Sequence, residues 1–278
     1  MAKIQIRNIY KVFGNRAAAG LQLAREGATK AEVLERTRCV VGLHDVSLDI
    51  EAGRIFVIMG LSGSGKSTLV RHLNRLIEPT SGAILYDGRD ILGLTAAELR
   101  DFRRRHISMV FQSFGLMPHR TVLQNAAYAL RIRGEPKAAA HETAMRWIET
   151  VGLKGYEGRY PWALSGGMRQ RVGLARALAA GTEVILMDEA FSALDPLIRR
   201  EMQDQLLDLQ RTLGKTIVFI THDLDEALRI GSDIAILRDG RLVQVGQPRA
   251  ILEHPADDYV ARFVERHHTA VPQRAAHG

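Results

Sequence analysis

One nine-residue stretch, Gly60 to Thr68 (GLSGSGKST), restricts the fold of this chain more than any other. It directly follows the apolar run Ile55 to Met59 and precedes an amphipathic segment, Leu69 to Leu76. A G-x-x-x-x-G-K-S/T pattern between a strand and a helix is that of a phosphate-binding loop, or P-loop. Its glycines let backbone N–H groups converge on phosphate oxygens, and the following helix adds the positive end of its dipole. The sequence therefore predicts a nucleotide site at the end of a strand.

The residue types in this loop predict how a nucleoside triphosphate and its Mg²⁺ would be held. The Lys66 ammonium would reach the terminal phosphates, and the Ser67 hydroxyl would join the coordination shell of Mg²⁺. The expected nucleotide-binding positions of the loop are Gly60, Ser62, Gly63, Ser64, Gly65, Lys66, Ser67 and Thr68.

A second motif supplies the acidic residues that such a site needs. The apolar run Val184 to Met187 ends in Asp188 and Glu189. Asp188 would hold Mg²⁺ through its water shell, and Glu189 would act as general base on the attacking water. Together with Lys66, this pair predicts a P-loop nucleoside triphosphatase.

Strand-like and helix-like segments alternate along the chain, which predicts an α/β fold. The later strand-like runs are almost wholly apolar, as in a largely parallel sheet buried on both faces. Asp87-Gly88 and Asp239-Gly240 predict tight hairpin turns, whereas Thr29–Glu32 and Thr95–Glu98 read as capping boxes that begin helices. The expected strands are Ile4–Ile9, Val46–Ile50, Ile55–Met59, Ile107–Phe111, Val184–Met187, Ile217–Ile220 and Ile234–Leu237.

Two helical stretches interrupt the alternation. Residues 15–40 are rich in Ala and charge and predict a helical insert after the first strand. Residues from about 113 to 178 contain no convincing strand and predict a helical subdomain. The expected organisation is a single domain over 1–265 and a flexible tail over 266–278.

Composition and charge exclude several classes of protein. The longest uninterrupted apolar stretch, Ile55 to Leu61, is far shorter than the ~20 residues of a membrane helix. The net charge is +7, but the densest basic run, Arg103 to Arg105, is not interleaved with aromatic residues and predicts a solvated face rather than a nucleic-acid site. The N-terminus has no apolar signal core, and Cys39 is the single cysteine. We therefore expect a protein of a reducing compartment that is not exported and binds no nucleic acid.

A third motif discriminates among P-loop proteins. Leu164 to Arg171 (LSGGMRQR) resembles the signature motif of ATP-binding-cassette (ABC) ATPases and lies shortly before Asp188, as in that family. It is a glycine turn leading into a helix, whose N-terminus would cup a γ-phosphate. The resemblance implies an ABC-type P-loop NTPase core with a mainly parallel sheet, an antiparallel β part and a helical subdomain. It also implies that ATP is bound by Ser165, Gly166 and Gly167.

Other motifs of the family follow in the expected order. Gln112 resembles the Q-loop glutamine that meets Mg²⁺ and the attacking water, and Ser192 to Asp195 resembles the D-loop. His222 resembles the switch histidine that holds the γ-phosphate and positions Glu189. Phe13 resembles the aromatic residue that stacks on adenine, with packing in the core as the equal alternative. The resemblance implies Glu189, His222 and Gln112 as catalytic residues and Ser67, Gln112 and Asp188 as the Mg²⁺ site.

The resemblance implies partners as well as ligands. In ABC ATPases two chains pack head to tail, so that Ser165 and Gly167 of each chain close the ATP bound to the other. The expected assembly is an ATP-dependent homodimer that docks on transmembrane permease subunits through the surface Gln112 to His119. We expect it to lie peripherally on the cytoplasmic face of the inner membrane.

Finer features resemble one branch of the family, the ATPase subunits of quaternary-amine importers. They are Met59 to Ser62, Phe111 to His119, Asp188 to Arg199 and the insert 15–40. The resemblance implies uptake of glycine betaine, choline or proline, delivered by a periplasmic or extracellular binding protein that acts on this chain only indirectly. Import of trimethylamine N-oxide or histidine, and a non-transport ABC ATPase, remain as alternatives.

Some members of this branch carry C-terminal CBS domains that respond to ionic strength. The family motifs here are complete by about Val264, so we expect a nutrient-uptake system rather than an osmotic switch. Internal salt should then alter transport only through screening of exposed charges, and deletion of residues 267–278 should leave ATPase activity and transport unchanged.

Overall fold

The computed structural model describes the chain from residue 2 to residue 270, and its side chains through residue 265. Its strands are β1 (Ala2–Phe13), β2 (Val40–Glu51), β3 (Ile55–Met59), β4 (Ser81–Tyr86), β5 (Arg89–Asp90), β6 (Ile107–Val110), β7 (Val184–Asp188), β8 (Thr216–Thr221), β9 (Asp233–Arg238) and β10 (Arg241–Gly246). They form a six-stranded sheet in the order β10-β9-β3-β8-β7-β6 and a four-stranded sheet in the order β2-β1-β4-β5. The smaller sheet is antiparallel, and the larger is parallel except for its edge strand β10.

The parallel sheet brings the separate sequence motifs to one edge. Every residue of β3 and of β7 is buried, as expected for apolar strands covered on both faces. Strand β8 lies between them, with Phe219 opposite both Val57 and Met187. Because parallel strands end at the same edge of a sheet, the residues that follow β3, β7 and β8 meet there.

Helices cover both sheets and form the remaining layers. They are α1 (Ala17–Arg25), α2 (Lys30–Thr37), α3 (Lys66–Leu73), α4 (Ala96–Arg105), α5 (Val122–Ala126), α6 (Tyr128–Ile132), α7 (Lys137–Thr150), α8 (Gly166–Ala179), α9 (Pro196–Leu213), α10 (Leu224–Ile230), α11 (Pro248–Glu253) and α12 (Asp258–Ala270), with a 3₁₀ turn at Pro161–Ala163. In the described part of the chain, no helix is both long enough and apolar enough to cross a membrane.

The stretch 15–40 contains helices α1 and α2, which pack on β1 and β2. Val12, Val33 and Cys39 are buried together in a small apolar cluster beneath them. Helix α2 begins with the capping box that the sequence predicts, because Thr29 Oγ1 accepts from the Glu32 N–H and the Glu32 carboxylate accepts from the Thr29 N–H.

The segment from α5 to α8 consists of helices joined by turns and contains no strand. Buried side chains of α5, α7 and α8 share one apolar cluster with the large sheet. Asn125 is fully buried, and its amide donates to the carbonyls of Met117, Arg120 and Thr121. These bonds fix the loop that leads from β6 into the helices.

Element ends differ from the prediction at several places. Strands β1 and β2 are longer than expected, β6 ends at Val110 rather than Phe111, and two helix ends also differ. Helix α3 ends at Leu73 rather than Leu76, because Asn74 Oδ1 accepts from the Leu76 N–H and Arg75 adopts a φ of 53°. Helix α12 runs through Ala270, so residues 266–270 are helical where a tail was predicted, and no Gly or Pro interrupts them. Residues 271–278 of the predicted tail lie outside the described residues.

Candidate nucleotide-binding and catalytic site

The loop after β3 can be made only with glycine at three positions. Gly60, Gly63 and Gly65 have φ angles of 150°, 78° and 102°, in the region that side chains disfavour. A Cβ on Gly60 would lie 2.2 Å from the carbonyl oxygen of Leu237. The loop is therefore tightly packed against β9, and its backbone faces the open edge of the sheet.

Lys66 begins α3 and is 4 % exposed. Its Nζ donates to the carbonyl oxygens of Gly60 at 2.8 Å and Leu61 at 3.0 Å. Burial lowers the pKa of Lys66, while the nearby charges of Glu189 and Asp188 raise it. The fold thus holds an ammonium group over the loop that phosphates would occupy.

Asp188 and Ser67 form the second part of the site. Asp188 is 1 % exposed, and its Oδ1 accepts from Ser67 Oγ at 2.7 Å while its Oδ2 accepts from Arg71 at 3.1 Å. A hydroxyl beside a buried carboxylate fits Mg²⁺, which prefers oxygen ligands and takes one or two carboxylates together with substrate phosphates. Within residues 2–265, no three His, Cys, Asp or Glu side chains are placed so that they could hold a metal ion by themselves. A Mg²⁺ site in which substrate phosphates supply further ligands does not need such a cluster.

Glu189 is the meeting point of three predicted site residues. Its carboxylate accepts from Gln112 Nε2 at 3.0 Å and lies 3.7 Å from His222 Nδ1 and 3.9 Å from Lys66 Nζ. Its φ of 45° is unusual for a residue other than glycine and turns the chain sharply after β7. Ser192 Oγ donates to the Glu189 carbonyl at 2.9 Å and closes this turn.

Phe13 lies near the loop but does not enter the core. The ring is 39 % exposed, with Lys11 Nζ 4.9 Å from its centroid. A Cβ on Gly42 would lie 2.6 Å from the Phe13 ring. A Cβ on Gly65 of the P-loop would lie 2.9 Å from the Gly42 carbonyl oxygen. The Gly42 backbone is therefore close to both the aromatic ring and the P-loop.

The signature residues form a separate part of the surface. Ser165 caps α8 by accepting from the Met168 N–H at 3.3 Å, and a Cβ on Gly167 would lie 3.1 Å from Ile198. Across the described residues, no hydrogen bond connects Ser165, Gly166 or Gly167 to the P-loop. In the described residues, the N-terminus of α8 is thus not hydrogen-bonded to the P-loop.

Two arginines of α8 were not found by the sequence reasoning. Arg176 donates to the carbonyls of Gly115 at 2.7 Å and Phe114 at 3.3 Å, and the Arg169 guanidinium lies 4.9 Å from the Phe114 ring centroid. Burial lowers the pKa of Arg176. The loop after Gln112 is thereby attached to the helix that begins at the signature motif. The arginines spaced along that helix are the sequence feature that could have indicated these contacts.

Tyr259 of α12 is a further contact that the sequence analysis missed. Its hydroxyl accepts from the Leu61 N–H at 3.3 Å and donates to the Leu237 carbonyl at 3.3 Å. The C-terminal helix therefore touches the first turn of the P-loop. No local pattern around Tyr259 indicates this.

The fold and these contacts define the class of this protein as a P-loop nucleoside triphosphatase of the cassette type. The family model described as ABC transporter matches residues 43–192. The chain belongs to the ABC transporter family and has the fold of its ATP-binding cassettes.

Named relatives place the chain among transport ATP-binding proteins. It is 56% identical over 265 residues to the glycine betaine/carnitine transport ATP-binding protein GbuA of Listeria monocytogenes, covering 95% of this chain and 67% of GbuA. It is 57% identical over 261 residues to the glycine betaine/proline betaine transport system ATP-binding protein ProV of Escherichia coli, covering 94% of this chain and 65% of ProV. The chain thus spans about two thirds of the length of these relatives.

A solved structure of an ABC transporter cassette has the same fold as this chain. The dimeric structure of MJ0796, a bacterial ABC transporter cassette, superposes with a TM-score of 0.76 at 31% sequence identity, covering 88% of this chain and 99% of MJ0796. A second MJ0796 structure, a dimeric post-hydrolysis state bound to ADP and Pi, has the same TM-score at 30% identity, with the same coverage of both chains. ATP is accordingly the nucleotide that this class of site binds.

Proposed function

We propose that this chain is the ATP-hydrolysing subunit of an ABC importer that takes up a quaternary amine or other osmolyte, such as glycine betaine, choline or proline. The observation that carries the proposal is the convergence on Glu189 of Gln112, His222 and Lys66, directly after an Asp188 bonded to Ser67. The relatives GbuA and ProV, both named for glycine betaine transport, support the substrate class.

The contacts support the following division of tasks. The glycine loop and Lys66 bind and orient the β- and γ-phosphates. Glu189 takes the proton of the water that attacks the γ-phosphorus, and the bond to the ADP oxygen breaks to release phosphate. His222 and Gln112 position Glu189 and the water. Ser67, Asp188 and Gln112 would hold Mg²⁺, which neutralises phosphate charge when bound.

Completion of the site needs a second copy of the chain. Within the described residues, Ser165, Gly166 and Gly167 make no hydrogen bond to the P-loop of their own chain, and we assign them to the γ-phosphate of ATP bound to a partner copy. Phe13 is assigned to the adenine, because its ring is partly exposed beside the Gly42 backbone. The ATP-bound state is then a C2 homodimer joined by two nucleotides.

A groove beside the Q-loop is the proposed seat of the permease. It has a volume of about 330 Å³, lies between β6 and the helices α6 and α8, and is mostly apolar. Its apolar lining includes Leu76, Met109, Phe111, Tyr128 and Ile132. A membrane partner on this face would place the chain peripherally on the cytoplasmic side of the inner membrane. The substrate-binding protein would act from the other side, through the permease.

Uptake in cells tests the proposal. In a strain whose own copy of this gene is deleted, uptake of radiolabelled glycine betaine should return with the wild-type chain and with Glu253→Gln, an exposed control. Glu189→Gln should restore none, because loss of a general base slows turnover about 10²–10⁴-fold. Uptake that is insensitive to the deletion would refute the importer assignment.

Trimethylamine N-oxide is the second candidate substrate. The trimethylamine N-oxide transport system ATP-binding protein TmoW of Ruegeria pomeroyi is 50% identical to this chain over 262 residues. In the same strain carrying the wild-type chain, uptake of radiolabelled glycine betaine is measured with an excess of unlabelled trimethylamine N-oxide, choline, proline or histidine. The degree of inhibition ranks these solutes as competitors. Strongest competition by trimethylamine N-oxide would favour this second candidate.

A further inference from the structure

Trp162 is 77 % exposed, more than any other large apolar side chain in the described part of the chain. It lies in the 3₁₀ turn Pro161–Ala163, just before the signature residue Ser165. The Tyr160 ring stacks beside it, with centroids 6.1 Å apart and planes within 7° of each other. An indole left in water at such a position is typical of an interaction site.

The turn holds Trp162 in a defined place. Pro161 is buried and Leu164 is 6 % exposed within the main apolar cluster, so both neighbours anchor the segment. The Ala163 N–H donates to the Tyr160 carbonyl at 3.0 Å, and the Leu164 N–H donates to the Pro161 carbonyl at 3.2 Å. The aromatic surface is thus presented on a rigid support and loses little conformational freedom on binding.

The position of Trp162 relative to Ser165 indicates its ligand. Ser165 is three positions after Trp162 along the chain, which limits their backbone separation to about 10 Å. In the proposed function, Ser165 meets the γ-phosphate of ATP bound to a partner copy. A side chain within this distance of Ser165 can reach the base end of an extended ATP whose γ-phosphate Ser165 contacts.

We infer that Trp162 forms the second half of an adenine clamp in the ATP-bound dimer. Its indole stacks on the adenine of the ATP held by the partner subunit, and Phe13 of the partner subunit covers the opposite face of the base. This inference rests on the proposed function, since it needs the head-to-tail dimer. Aromatic side chains stack on nucleobases in this manner in many complexes.

The test uses Trp162 as its own reporter. The chain has two tryptophans, so Trp147→Phe leaves Trp162 alone, and Glu189→Gln is added to retain ATP. Titration of this double variant with MgATP should quench or shift tryptophan emission over the concentrations at which gel filtration shows the dimer. Tripolyphosphate, which lacks a base, should not change the emission.

Substitution provides the second readout. Trp162→Ala, in the Glu189→Gln chain, should raise the ATP concentration for half-maximal dimerisation about tenfold, whereas Trp162→Phe should raise it much less. Tyr156→Ala is the matched control, because Tyr156 is 42 % exposed in the same loop but does not stack on Trp162, and it should have no effect.

The outcomes separate this inference from the proposed function. A dimer that forms with ATP while Trp162 emission stays constant, or an unchanged ATP requirement in Trp162→Ala, overturns the clamp alone. Failure of the Glu189→Gln chain to bind ATP in equilibrium dialysis overturns the proposed function and the clamp with it.

Discussion

At the scale of single residues, Lys66 shows how the fold positions a positive charge where phosphate would bind. Its ammonium is buried and satisfied by two backbone carbonyls of the loop, which are neutral partners. Phosphate oxygens are stronger acceptors, because hydrogen bonds between charged groups contribute about twice as much as neutral ones. The Lys66 side chain therefore needs little reorganisation to exchange the carbonyl oxygens for phosphate oxygens.

We expect Lys66→Ala to weaken ATP binding about 10- to 100-fold, since hydrogen bonds to charged groups contribute about 1.5–3 kcal/mol. Isothermal titration calorimetry with MgATP measures the Kd. Lys30→Ala removes a lysine outside the P-loop and should leave the Kd unchanged. Equal affinities of Lys66→Ala and the wild type would rule out the assigned contact.

Glu226 carries a buried charge whose cost depends on pH. It is 6 % exposed and accepts from Gln203 Nε2 at 3.0 Å. Burial raises its pKa above the ordinary value, and the Asp223 charge adds to this, while hydrogen bonds from Thr221 and Gln203 and the Arg199 charge oppose it. Between the unfolded and folded pKa values the native state holds more protons, so this group makes stability fall as pH rises through that window.

Glu226→Gln should therefore gain stability relative to the wild type as pH increases from 4 to 7. The amide cannot ionise and keeps hydrogen-bonding capacity toward Gln203. Urea unfolding at both pH values gives the free energy of unfolding of each protein. A difference between the two proteins that stays constant with pH would contradict the assigned cause. The exposed Glu253→Gln serves as the control.

At the scale of elements, α8 links the signature motif to the loop after Gln112. Its arginines hold Phe114 and Gly115, which adopt φ angles of 63° and 55°. A movement of α8 would therefore carry this loop with it. In the proposed function, the same loop borders the groove for the permease, so closure of the dimer and the membrane partner are mechanically connected.

Phe114→Ala should leave the ATPase rate of the free subunit within about twofold of wild type but uncouple hydrolysis from transport in the complex. The substitution removes the ring under Arg169 and leaves the catalytic contacts of Gln112 in place. Paired measurements of ATPase rate and uptake in proteoliposomes test this, and Met117→Ala should behave alike. If both side chains only pack the helical segment, the melting temperature and ATPase activity will fall together.

At the scale of the whole molecule, the proposed function requires a symmetric pair, because each copy would supply the signature residues for the ATP bound to the other. Nucleotide in the P-loop supplies the phosphates that the second copy recognises, so association should depend on ATP. Slow hydrolysis should preserve the pair. Hydrolysis and loss of the γ-phosphate should separate it, because Ser165 and α8 would lose their ligand.

Glu189→Gln should accordingly elute as a dimer on gel filtration with MgATP and as a monomer with MgADP. The double variant Lys66→Ala/Glu189→Gln should remain monomeric with either nucleotide at concentrations that saturate the single variant. Wild-type turnover in Glu189→Gln, or a monomer at saturating ATP, would refute the proposed roles of Glu189 and of the dimer.

The sequence by itself determined those features that depend on neighbours along the chain. The P-loop, the capping box at Thr29 and the hairpin turn at Asp239-Gly240 each occupy a few consecutive residues, and the structure contains all three. Backbone preferences of Gly, Thr and Asp act within a turn, so local sequence is sufficient. The order of strands and helices follows from hydrophobic periodicity in the same way.

Only the tertiary structure decided which distant groups touch. Gln112 bonds to Glu189 across 77 residues, Arg176 to Phe114 across 62, and Leu61 to Tyr259 across 198. The family resemblance assigned Gln112 and Glu189 to one catalytic site without predicting their hydrogen bond, and the sequence analysis predicted neither of the other two contacts. Such contacts depend on strand order and on how α8 and α12 pack against the sheet, and packing is settled by the burial of surfaces contributed by the whole chain.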